Sequence, residues 1–272
     1  MKHSPLKPLK RFGQNFLIDP NIKRKIIAAV HPVAGDRILE IGPGDGALTF
    51  ELARAAGRVY AVEIDKKRCA RLSLRAADVP RITSVCADIL KFDLKKFLLR
   101  EGVDRVRVVS NLPYYITTPV IEYLFERIDL IEDIFLTVQK EVARRLTARP
   151  GDPSYGSLSC FVDYYCEAEV LFAIAPSCFR PEPKVDSTFV RFRPRRDRMK
   201  RLHLNSEEGF FRVVRTSFGQ RRKTLRASLS RMLGRAFLEQ LGADELLERR
   251  PQTVSVQEFA VLSNRILGSL RP

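Results

Sequence analysis

The 272-residue chain is poor in the residues from which metal sites, disulfide frameworks and histidine-dependent catalytic sites are built. It contains three histidines, and its five cysteines are odd in number and include no C-x-x-C pair. Disulfide frameworks and zinc sites require cysteines in pairs or at short spacings. We therefore expect no metal site, and we expect the cysteines to be buried, reduced thiols: Cys69, Cys86, Cys160, Cys166 and Cys178.

Long apolar segments are also lacking. No run approaches the ~20 residues that a membrane span requires. Residues 1–14, MKHSPLKPLKRFGQ, contain no apolar core of a signal peptide. We therefore expect a cytoplasmic protein without a membrane partner. Because 45% of the residues are hydrophobic, the chain has material for a sizeable core, and a wholly disordered protein is excluded.

Basic residues are in excess, and the excess is concentrated towards the C-terminus. The net charge is +16 overall. Residues 191–272 hold 19 basic and 8 acidic residues, a net charge of +11, whereas the much longer remainder carries +5. Such an imbalance indicates nucleic acid or an anionic membrane surface as a partner.

The basic residues form three groups that lack matching acids in the sequence, which favours RNA contact through phosphates. The first group is an N-terminal arm, the second crowds a domain junction, and the third lies on or near the C-terminal helices. Their members are Lys2, Lys7, Lys10 and Arg11; Arg191, Arg193, Arg195, Arg196, Arg198, Lys200 and Arg201; and Arg215, Arg221, Arg222, Lys223, Arg226, Arg231 and Arg235.

Apolar strands alternate with helices through most of the chain, which predicts an α/β fold with a parallel, doubly wound sheet and helices on both faces. The predicted strands are 37–41, 59–63, 82–85, 106–110 and 134–138. The predicted helices are 20–30, 47–56, 66–77, 118–127 and 140–148. Two further β-type runs, 168–174 and 188–192, are expected to form an edge hairpin. Downstream of about residue 200 only helical spacing is convincing, so we place domains at 1–200 and 201–272.

The first predicted strand ends in Glu40-Ile41-Gly42-Pro43-Gly44-Asp45-Gly46, whose glycines permit a sharp turn and close ligand approach. In doubly wound sheets, ligands bind beyond the carboxyl ends of the strands. Glu63 ends the second strand, where a carboxylate can hold two ribose hydroxyls. Asp88 follows the third strand, where it can accept a hydrogen bond from an adenine amine. The loop therefore indicates a nucleotide-type cofactor, and it leaves both S-adenosylmethionine and NAD open.

Asn111-Leu112-Pro113-Tyr114 follows the fourth predicted strand and discriminates between these cofactors. The exocyclic amine of adenine is a poor nucleophile because its lone pair is delocalised into the ring. An Asn carbonyl and a nearby backbone carbonyl can accept its two N–H bonds and favour a pyramidal nitrogen. Pro113 keeps Leu112 extended, and Tyr114 offers a face on which an unpaired base can stack. The motif predicts methyl transfer to an adenine amine.

The order of these motifs resembles that of the rRNA adenine N6,N6-dimethyltransferases, the kasugamycin-sensitivity family, over nearly the whole chain. Three further segments are similar: an N-terminal cofactor motif, a segment that places a Phe opposite the Tyr, and a signature of a helical C-terminal domain. They read G-Q-N-F-L at 13–17, F-R-P-E-P-K-V-D-S at 179–187 and Q-R-R-K-T-L at 220–225. The resemblance implies a Rossmann-like class I methyltransferase domain followed by a small all-helical domain.

The resemblance also implies the reaction. S-adenosyl-L-methionine is the expected methyl donor, and two adjacent adenosines near the 3′ end of small-subunit (16S) rRNA are the expected acceptors. The modification is linked to small-subunit maturation. The expected partner is small-subunit rRNA or the pre-ribosomal small subunit, and we expect a monomer.

The residue roles that the resemblance implies fall into three sets. Cofactor contacts are implied for Asn15, Leu17, Gly42, Gly44, Glu63, Asp88 and Asn111. Catalytic roles are implied for Asn111, Leu112, Pro113, Tyr114 and Phe179, with the two aromatic rings sandwiching the target base. The prolines that flank Phe179 predict that it lies in a rigid, exposed loop. RNA-binding roles are implied for Arg221, Arg222 and Lys223.

Three alternative functions remain open on the sequence. An erythromycin-resistance type methyltransferase would act on large-subunit rRNA, although segments 179–187 and 220–225 fit the small-subunit family better. A nicotinamide-dependent oxidoreductase would use the glycine loop but would leave Asn111 and Tyr114 without a role. A non-catalytic RNA-binding or transcription-factor relative would have no need of these two residues.

Overall fold

The computed structural model describes residues 15–240, 242 and 244–269. The chain forms two compact units. The first comprises the described residues up to Ala143 together with Glu169–Pro194, and the second comprises Arg144–Ala168 together with the described residues from Arg195 onwards. The basic arm expected in residues 1–12 lies outside the described residues.

The described strands and the first helices fall mainly in the first unit. The strands are β1 Phe16–Leu17, β2 Arg37–Ile41, β3 Arg58–Glu63, β4 Ile82–Cys86, β5 Val106–Asn111, β6 Ile131–Gln139, β7 Cys166–Ile174, β8 Phe179–Arg180 and β9 Ser187–Pro194. The helices are α1 Pro20–Val30, α2 Thr49–Ala55, α3 Lys66–Arg75, α4 Leu94–Glu101, α5 Thr117–Phe125 and α6 Lys140–Thr147. Helix α6 ends, and β7 begins, in residues of the second unit.

Seven of the described strands form one sheet in the order β4-β3-β2-β5-β6-β9-β7. Strands β4, β3, β2, β5 and β6 pair in parallel, and β9 pairs with β6 in the antiparallel direction. The order reverses between β2 and β5, which are neighbours although two strands separate them in sequence. Such a reversal opens a crevice at the carboxyl ends of the strands, where doubly wound proteins bind ligands. The five predicted parallel strands and the two added β-runs are all present.

Side-chain caps explain where two of the predicted helices begin. Asp19 accepts hydrogen bonds from the backbone N–H groups of Asn21 and Ile22, with Pro20 in the first position of α1. Asp65 caps α3 in the same way. The sequence analysis missed α4, which is eight residues long and shows its apolar spacing only through Leu94, Phe97 and Leu98. Two turns are too short for the periodicity to be distinctive.

Arginine and aspartate side chains form a network of ion pairs near the start of β6. The Asp133 carboxylate, 5% exposed, accepts hydrogen bonds from Arg107 Nε and Nη2 at 2.9 and 3.0 Å and from Arg191 Nη2 at 2.9 Å. Arg107 Nη1 also contacts Asp36 Oδ2 at 2.6 Å. Asp133 is distant in sequence from Arg191. The ion pair that Arg191, the first residue of the basic run, forms with it was therefore not predictable from the sequence.

The second unit is helical around an aromatic core. Its elements are α7 Ser157–Tyr165, α8 Arg198–Arg201, α9 Glu207–Phe218, α10 Leu225–Leu233, α11 Arg235–Gln240, α12 Glu245–Glu248 and α13 Val256–Ser269. Tyr164 stacks on Phe210 and Tyr165 on Phe211, with ring centroids 5.5 and 5.8 Å apart. Both tyrosine hydroxyls donate to Glu207, at 2.7 and 2.5 Å.

These contacts bind α7 to α9, so residues 144–168 group with the C-terminal helices. The division of the chain therefore differs from the single boundary expected between residues 200 and 201. Helix α7 was also missed by the sequence analysis, because all of its nine residues except Asp163 are apolar, aromatic or small and give little helical periodicity.

The cysteines differ in environment. Cys69, Cys160 and Cys166 are buried, Cys178 is half-buried and Cys86 is exposed. The expectation that all five are buried is therefore wrong for Cys86, which is the last residue of the outer strand β4. In the described ranges, no group of three or more His, Cys, Asp or Glu side chains is arranged to hold a metal ion. Nor does any described helix have the length and apolar character needed to cross a membrane.

Candidate active site

A cleft opens at the carboxyl ends of β2, β3, β4 and β5 in the first unit. Most of the predicted cofactor residues lie together here, although they are far apart in sequence. The lining consists of Asn15, Phe16, Ile41, Gly42, Gly44, Val62, Glu63, Ile64, Ala87, Asp88, Ile89, Leu90, Asn111, Pro113, Tyr115 and Ile116. Of the predicted cofactor set, only Leu17 is not part of this lining.

The glycine loop forms one wall of the cleft because its backbone adopts conformations that other residues rarely take. Gly42 has φ +68° and Gly44 has φ +59°. A Cβ atom at Gly42 would meet no other atom within 4 Å, so this backbone faces open space. A Cβ atom at Gly44 would lie 2.8 Å from the Phe16 ring, so glycine is what allows that ring to approach.

The Glu63 carboxylate joins two turns of the cleft. Its Oε2 accepts a hydrogen bond from Gly44 N at 3.0 Å, and its Oε1 accepts one from Asp65 N at 2.9 Å. The residue is 3% exposed. Burial raises the pKa of Glu63, whereas the two backbone N–H groups and the charge of Arg68 oppose that rise. Since a carboxylate oxygen has two lone pairs, each oxygen keeps the capacity to accept one further hydrogen bond.

A second buried carboxylate, Glu40, lies behind the glycine loop. Burial raises its pKa to about 7, the charge of Glu63 adds to the rise, and Thr49 opposes it. A carboxyl group with a raised pKa therefore lies directly before the glycine loop, at the end of β2. Glu40 belongs to the loop motif seen in the sequence, but its buried environment was not predicted.

The side-chain amide of Asn111 is oriented by the N-terminal segment. Asn111 Nδ2 donates to the backbone oxygen of Asn15 at 3.1 Å. Because the nitrogen is used in this bond, the carbonyl oxygen Oδ1 is left as the acceptor. Asn15, predicted as a cofactor contact, therefore also sets the direction of the Asn111 amide.

Tyr114 is fixed by a residue that the sequence analysis did not single out. Its hydroxyl lies 2.7 Å from the Ser187 hydroxyl, at the start of β9. Ser187 is fully buried and pairs with Gln139 of β6. The bond holds the phenol ring close to the carboxyl end of β6, with which the start of β9 pairs. Leu112 is 2% exposed and is not part of the cleft lining.

The expectation that Phe179 lies in an exposed loop is wrong. Phe179 is 1% exposed and packs in the core cluster that also contains Leu17, Ile26 and Phe189. It pairs with Leu17 in the short β1–β8 ladder, which draws both side chains inward. Neither side chain lines the cleft, and Tyr114 is not part of the lining either. The base sandwich of Tyr114 and Phe179 and the contact of Leu17 with a cofactor stay predictions.

Three exposed apolar side chains at the cleft were missed by the sequence analysis. Ile64, Leu90 and Tyr115 are 46%, 39% and 57% exposed. Burial and the nearby charge of Asp88 raise the pKa of Tyr115. The sequence feature that could have identified them is their position. They follow Glu63, Asp88 and Tyr114 by one or two residues, near the ends of β3, β4 and β5. They give the wall around Asp88 an apolar rim.

The junction arginines are less available than their sequence suggests. In the first unit, Arg191 contacts Asp133 and Arg193 contacts Glu169, each at 2.9 Å. In the second unit, Arg195 Nη2 contacts Asp163 Oδ1 at 3.4 Å, and Arg201 Nη2 donates to the Asp163 backbone oxygen at 2.9 Å. The statement that this group has no matching acids is therefore wrong for Arg191, Arg193 and Arg195.

The predicted RNA-binding residues precede α10 in the second unit, and they differ from one another. Arg221 Nη2 donates to the backbone oxygens of Pro153 and Tyr155 at 3.0 and 2.8 Å, which ties the loop to the segment before α7. Arg222 and Lys223 are exposed. Thr224 caps α10. Arg226 contacts Glu248 at 2.5 Å. The side chains suited to contact a large partner are those of Arg222 and Lys223.

Comparison with known sequences connects this arrangement to rRNA modification. A family model described as ribosomal RNA adenine dimethylase matches residues 6–265. A Methylococcus capsulatus protein named ribosomal RNA small subunit methyltransferase A is 42% identical over 263 residues, covering 95% of this chain and 98% of that protein. A protein of the same name from Clostridioides difficile is 42% identical over 266 residues, covering 94% of this chain and 90% of that protein.

Solved structures agree with this similarity. A dimethyladenosine transferase from Plasmodium falciparum has a TM-score of 0.78 at 25% identity, covering 93% of this chain and 98% of that one. The 23S rRNA methyltransferase ErmE has a TM-score of 0.67 at 28% identity, covering 91% of this chain and 100% of that one. Both matches extend over nearly the whole chain.

The burial of Phe179 generates a test of stability. Replacing Phe179 by Ala removes a core side chain and leaves a cavity, so we expect the free energy of unfolding to fall by about 3–4 kcal/mol. Phe179→Leu should cost less, because it keeps more of the buried volume. Urea unfolding followed by circular dichroism measures both. Tyr115→Ala, at an exposed position, is the control and should change the value by less than about 0.5 kcal/mol. A Phe179→Ala variant as stable as the Tyr115 control would show that the ring is not a core residue.

Proposed function

The chain belongs to the ribosomal RNA adenine dimethylase family, and we propose that its cleft binds S-adenosylmethionine beside an adenosine amine held at Asn111. The protein is an rRNA adenine N6-dimethyltransferase that acts near the 3′ end of small-subunit rRNA. The observation that carries the site proposal is that Glu63, Asp88 and Asn111, which lie at or just beyond the ends of three successive strands, meet in one cleft.

The cleft residues fit the parts of the cofactor. The open backbone at Gly42 leaves room for the methionine portion. The two oxygens of Glu63 can each accept one ribose hydroxyl without giving up their backbone hydrogen bonds. Asp88 Oδ1 accepts from Leu90 N at 3.0 Å, so Oδ2 can accept from the adenine amine. Ile64 and Leu90 supply apolar contacts for the adenine ring. When bound, the cofactor supplies an electrophilic methyl group on its sulfonium.

Asn111 prepares the nucleophile. Its Oδ1 accepts one N–H of the target amine, and the backbone carbonyl of Leu112 is suited to accept the other. These bonds draw the amine out of conjugation, which leaves its lone pair available. Because the nitrogen becomes cationic only as the new bond forms, no group in the cleft has to remove a proton beforehand. Catalysis then consists mainly of orientation and of preorganised acceptors.

Dimethylation imposes a further requirement on these acceptors. After the first transfer, the amine has one N–H left, so one of the two carbonyls must tolerate a methyl group. Tyr114, fixed by Ser187, offers one ring face to the target base.

Small-subunit rRNA is the favoured acceptor. Relatives about 40% identical carry the small-subunit name, whereas the large-subunit enzyme with a similar structure is 28% identical. We place this activity in the cytoplasm and assign it to a monomer. Arg222 and Lys223 contact phosphates of the RNA, while Arg221 shapes the loop that presents them. Such contacts supply affinity and register rather than base identity.

Asn111 gives the sharpest catalytic test. Asn111→Ala removes the acceptor that orients the amine, so we expect turnover to fall on the order of 100-fold or more. Methyl transfer to undermethylated small subunits is the measurement, with circular dichroism to verify the fold. Near-normal turnover by a folded variant would contradict this role. Asn21→Ala, on the exposed start of α1, is the matched control and should behave as the wild type.

Glu63 tests the cofactor proposal. Glu63→Ala removes a charged acceptor for two hydroxyls, so the Kd for S-adenosylmethionine should rise by about 10- to 100-fold. The Kd for RNA should change by less than about twofold, since Glu63 is buried in the cleft and, being an anion, would not bind phosphates. Isothermal titration measures the first Kd and filter binding the second. Glu51→Ala, at a half-buried acid on α2, controls for the loss of charge. Unchanged cofactor affinity in Glu63→Ala would refute the ribose assignment.

Arg222 and Lys223 test the RNA surface. Replacing both by Gln should lower the log–log salt slope of RNA binding by about 1–2 units, because up to two phosphate contacts are lost. Melting temperature and cofactor affinity should be retained. The double change Lys95→Gln and Lys96→Gln on α4 removes the same charge elsewhere and should leave the slope unchanged. Arg221→Gln should instead lower the melting temperature, because Arg221 holds two backbone carbonyls. An unaltered slope in the Arg222/Lys223 variant would remove this loop from the RNA interface.

A further inference from the structure

Arg68 is a buried charge that the catalytic scheme above does not use. It lies on α3 and is 1% exposed, which makes it one of the largest fully buried side chains of the described chain. A guanidinium group does not lose its proton in a protein, so its burial must be offset by partners. A buried ion pair adds little to the free energy of unfolding, because the loss of hydration offsets much of the attraction between the charges. A stabilising effect is therefore a poor explanation for the burial of Arg68.

The partners of Arg68 belong to three segments that form the cleft. Its Nη1 lies 2.9 Å from Asp45 Oδ1 in the glycine loop. Its Nε lies 3.7 Å from Asp65 Oδ2, directly after the turn that Glu63 braces. Its guanidinium carbon lies 4.2 Å from the ring centroid of Phe16, in the N-terminal strand. Phe16 in turn lies against Gly44, and it lines the cleft.

We propose that Arg68 is a positioning residue of the cofactor site, which holds Phe16 and the glycine loop at the cleft. The inference rests on the proposed function of the cleft as a cofactor site. Without the guanidinium, Asp45 loses its partner and the Phe16 ring loses its cation–π contact. Phe16 and the glycine loop then become less ordered before the ligand binds. Part of the binding free energy is used to order them, which lowers the affinity for the ligand.

The charge of Arg68 also acts on Glu63 itself. The titratable and charged groups near Glu63 are Glu40 of β2, Asp65 at the N-cap of α3, Arg68 within α3, and Cys86 of β4. The backbone N–H groups of Gly44 and Asp65 also donate to Glu63. Burial and the charge of Asp65 raise the pKa of Glu63, whereas Arg68 lowers it. An ionised Glu63 is the better acceptor for ribose hydroxyls, so affinity is lost as the pH falls through the pKa of Glu63. Removing Arg68 raises that pKa, and the loss then occurs at higher pH.

The test is the pH profile of ligand binding in Arg68 variants. S-adenosylhomocysteine is the probe, because it carries the same ribose and is chemically stable, and isothermal titration between about pH 5.5 and pH 8 gives its Kd. For Arg68→Met we expect the Kd at neutral pH to rise about tenfold or more. We expect the midpoint of the acid-side loss to move to higher pH, because the charge of Arg68 that lowers the pKa of Glu63 is removed. Arg68→Lys keeps the charge but not the fork, so it should weaken binding without moving the midpoint.

Controls separate this inference from its premise. Arg54→Met, at an exposed arginine of α2, should reproduce the wild-type profile. Arg68→Gln removes the charge but can still donate a hydrogen bond to Asp45. If Arg68→Met does not fold, the pH profile of Arg68→Gln tests the effect of the charge in its place. Glu63→Ala should bind weakly and lose the acid-side midpoint. If Glu63→Ala binds normally, the cofactor assignment of the cleft fails. If Glu63→Ala is weakened but a folded, uncharged Arg68 variant keeps both wild-type affinity and midpoint, the positioning role of Arg68 is overturned.

Discussion

The parallel alignment of β2 to β5 is the constraint on which the site depends. It brings the ends of four strands to one edge, and each end is followed by a different kind of group: a glycine turn, Glu63, Asp88 and Asn111. The Glu63 carboxylate then joins two of these ends by accepting from Gly44 and Asp65. Because backbone N–H groups are fixed donors, this bridge sets the shape of the cleft before any ligand enters. The same carboxylate is thereby a structural element and a candidate ligand contact.

The buried carboxyl groups near this bridge are accompanied by hydrogen-bond donors and by the buried arginine Arg68. Glu40 and Glu63 lie close together, and burial raises the pKa of both. Two neighbouring carboxylates repel each other when both are ionised, which favours the neutral form of one of them. The pKa of Glu40 is raised to about 7, while backbone N–H donors and the charge of Arg68 oppose the rise of the pKa of Glu63. The donors around Glu63 thus favour its ionised form, as its proposed role as an acceptor requires.

Local patterns sufficed to predict the sheet, the two Asp-capped helices and six of the seven cofactor residues that were expected at the cleft, because strand ends, caps and glycine turns are encoded within a few residues. The environments of Phe179, Arg68 and the junction arginines were not predictable in this way. Prolines beside Phe179 suggested exposure, yet its pairing with Leu17, 162 positions earlier, draws the ring into the core. Likewise, Asp133 lies 58 positions from Arg191, so the ion pair that occupies that arginine leaves no local trace. Short helices with little apolar periodicity, such as α4 and α7, escaped detection for a related reason.

The central claim is that this cleft delivers methyl groups to adenosine amines of small-subunit rRNA. The most direct measurement is mass spectrometry of nucleosides from rRNA incubated with the purified chain and S-adenosylmethionine carrying an isotopically labelled methyl group. The ribosomal subunits are taken from a strain that lacks this modification and are separated after the reaction. We expect doubly labelled N6,N6-dimethyladenosine in the small-subunit rRNA and no label in the large-subunit rRNA. Label confined to large-subunit rRNA, or carried by a nucleoside other than adenosine, would contradict the account.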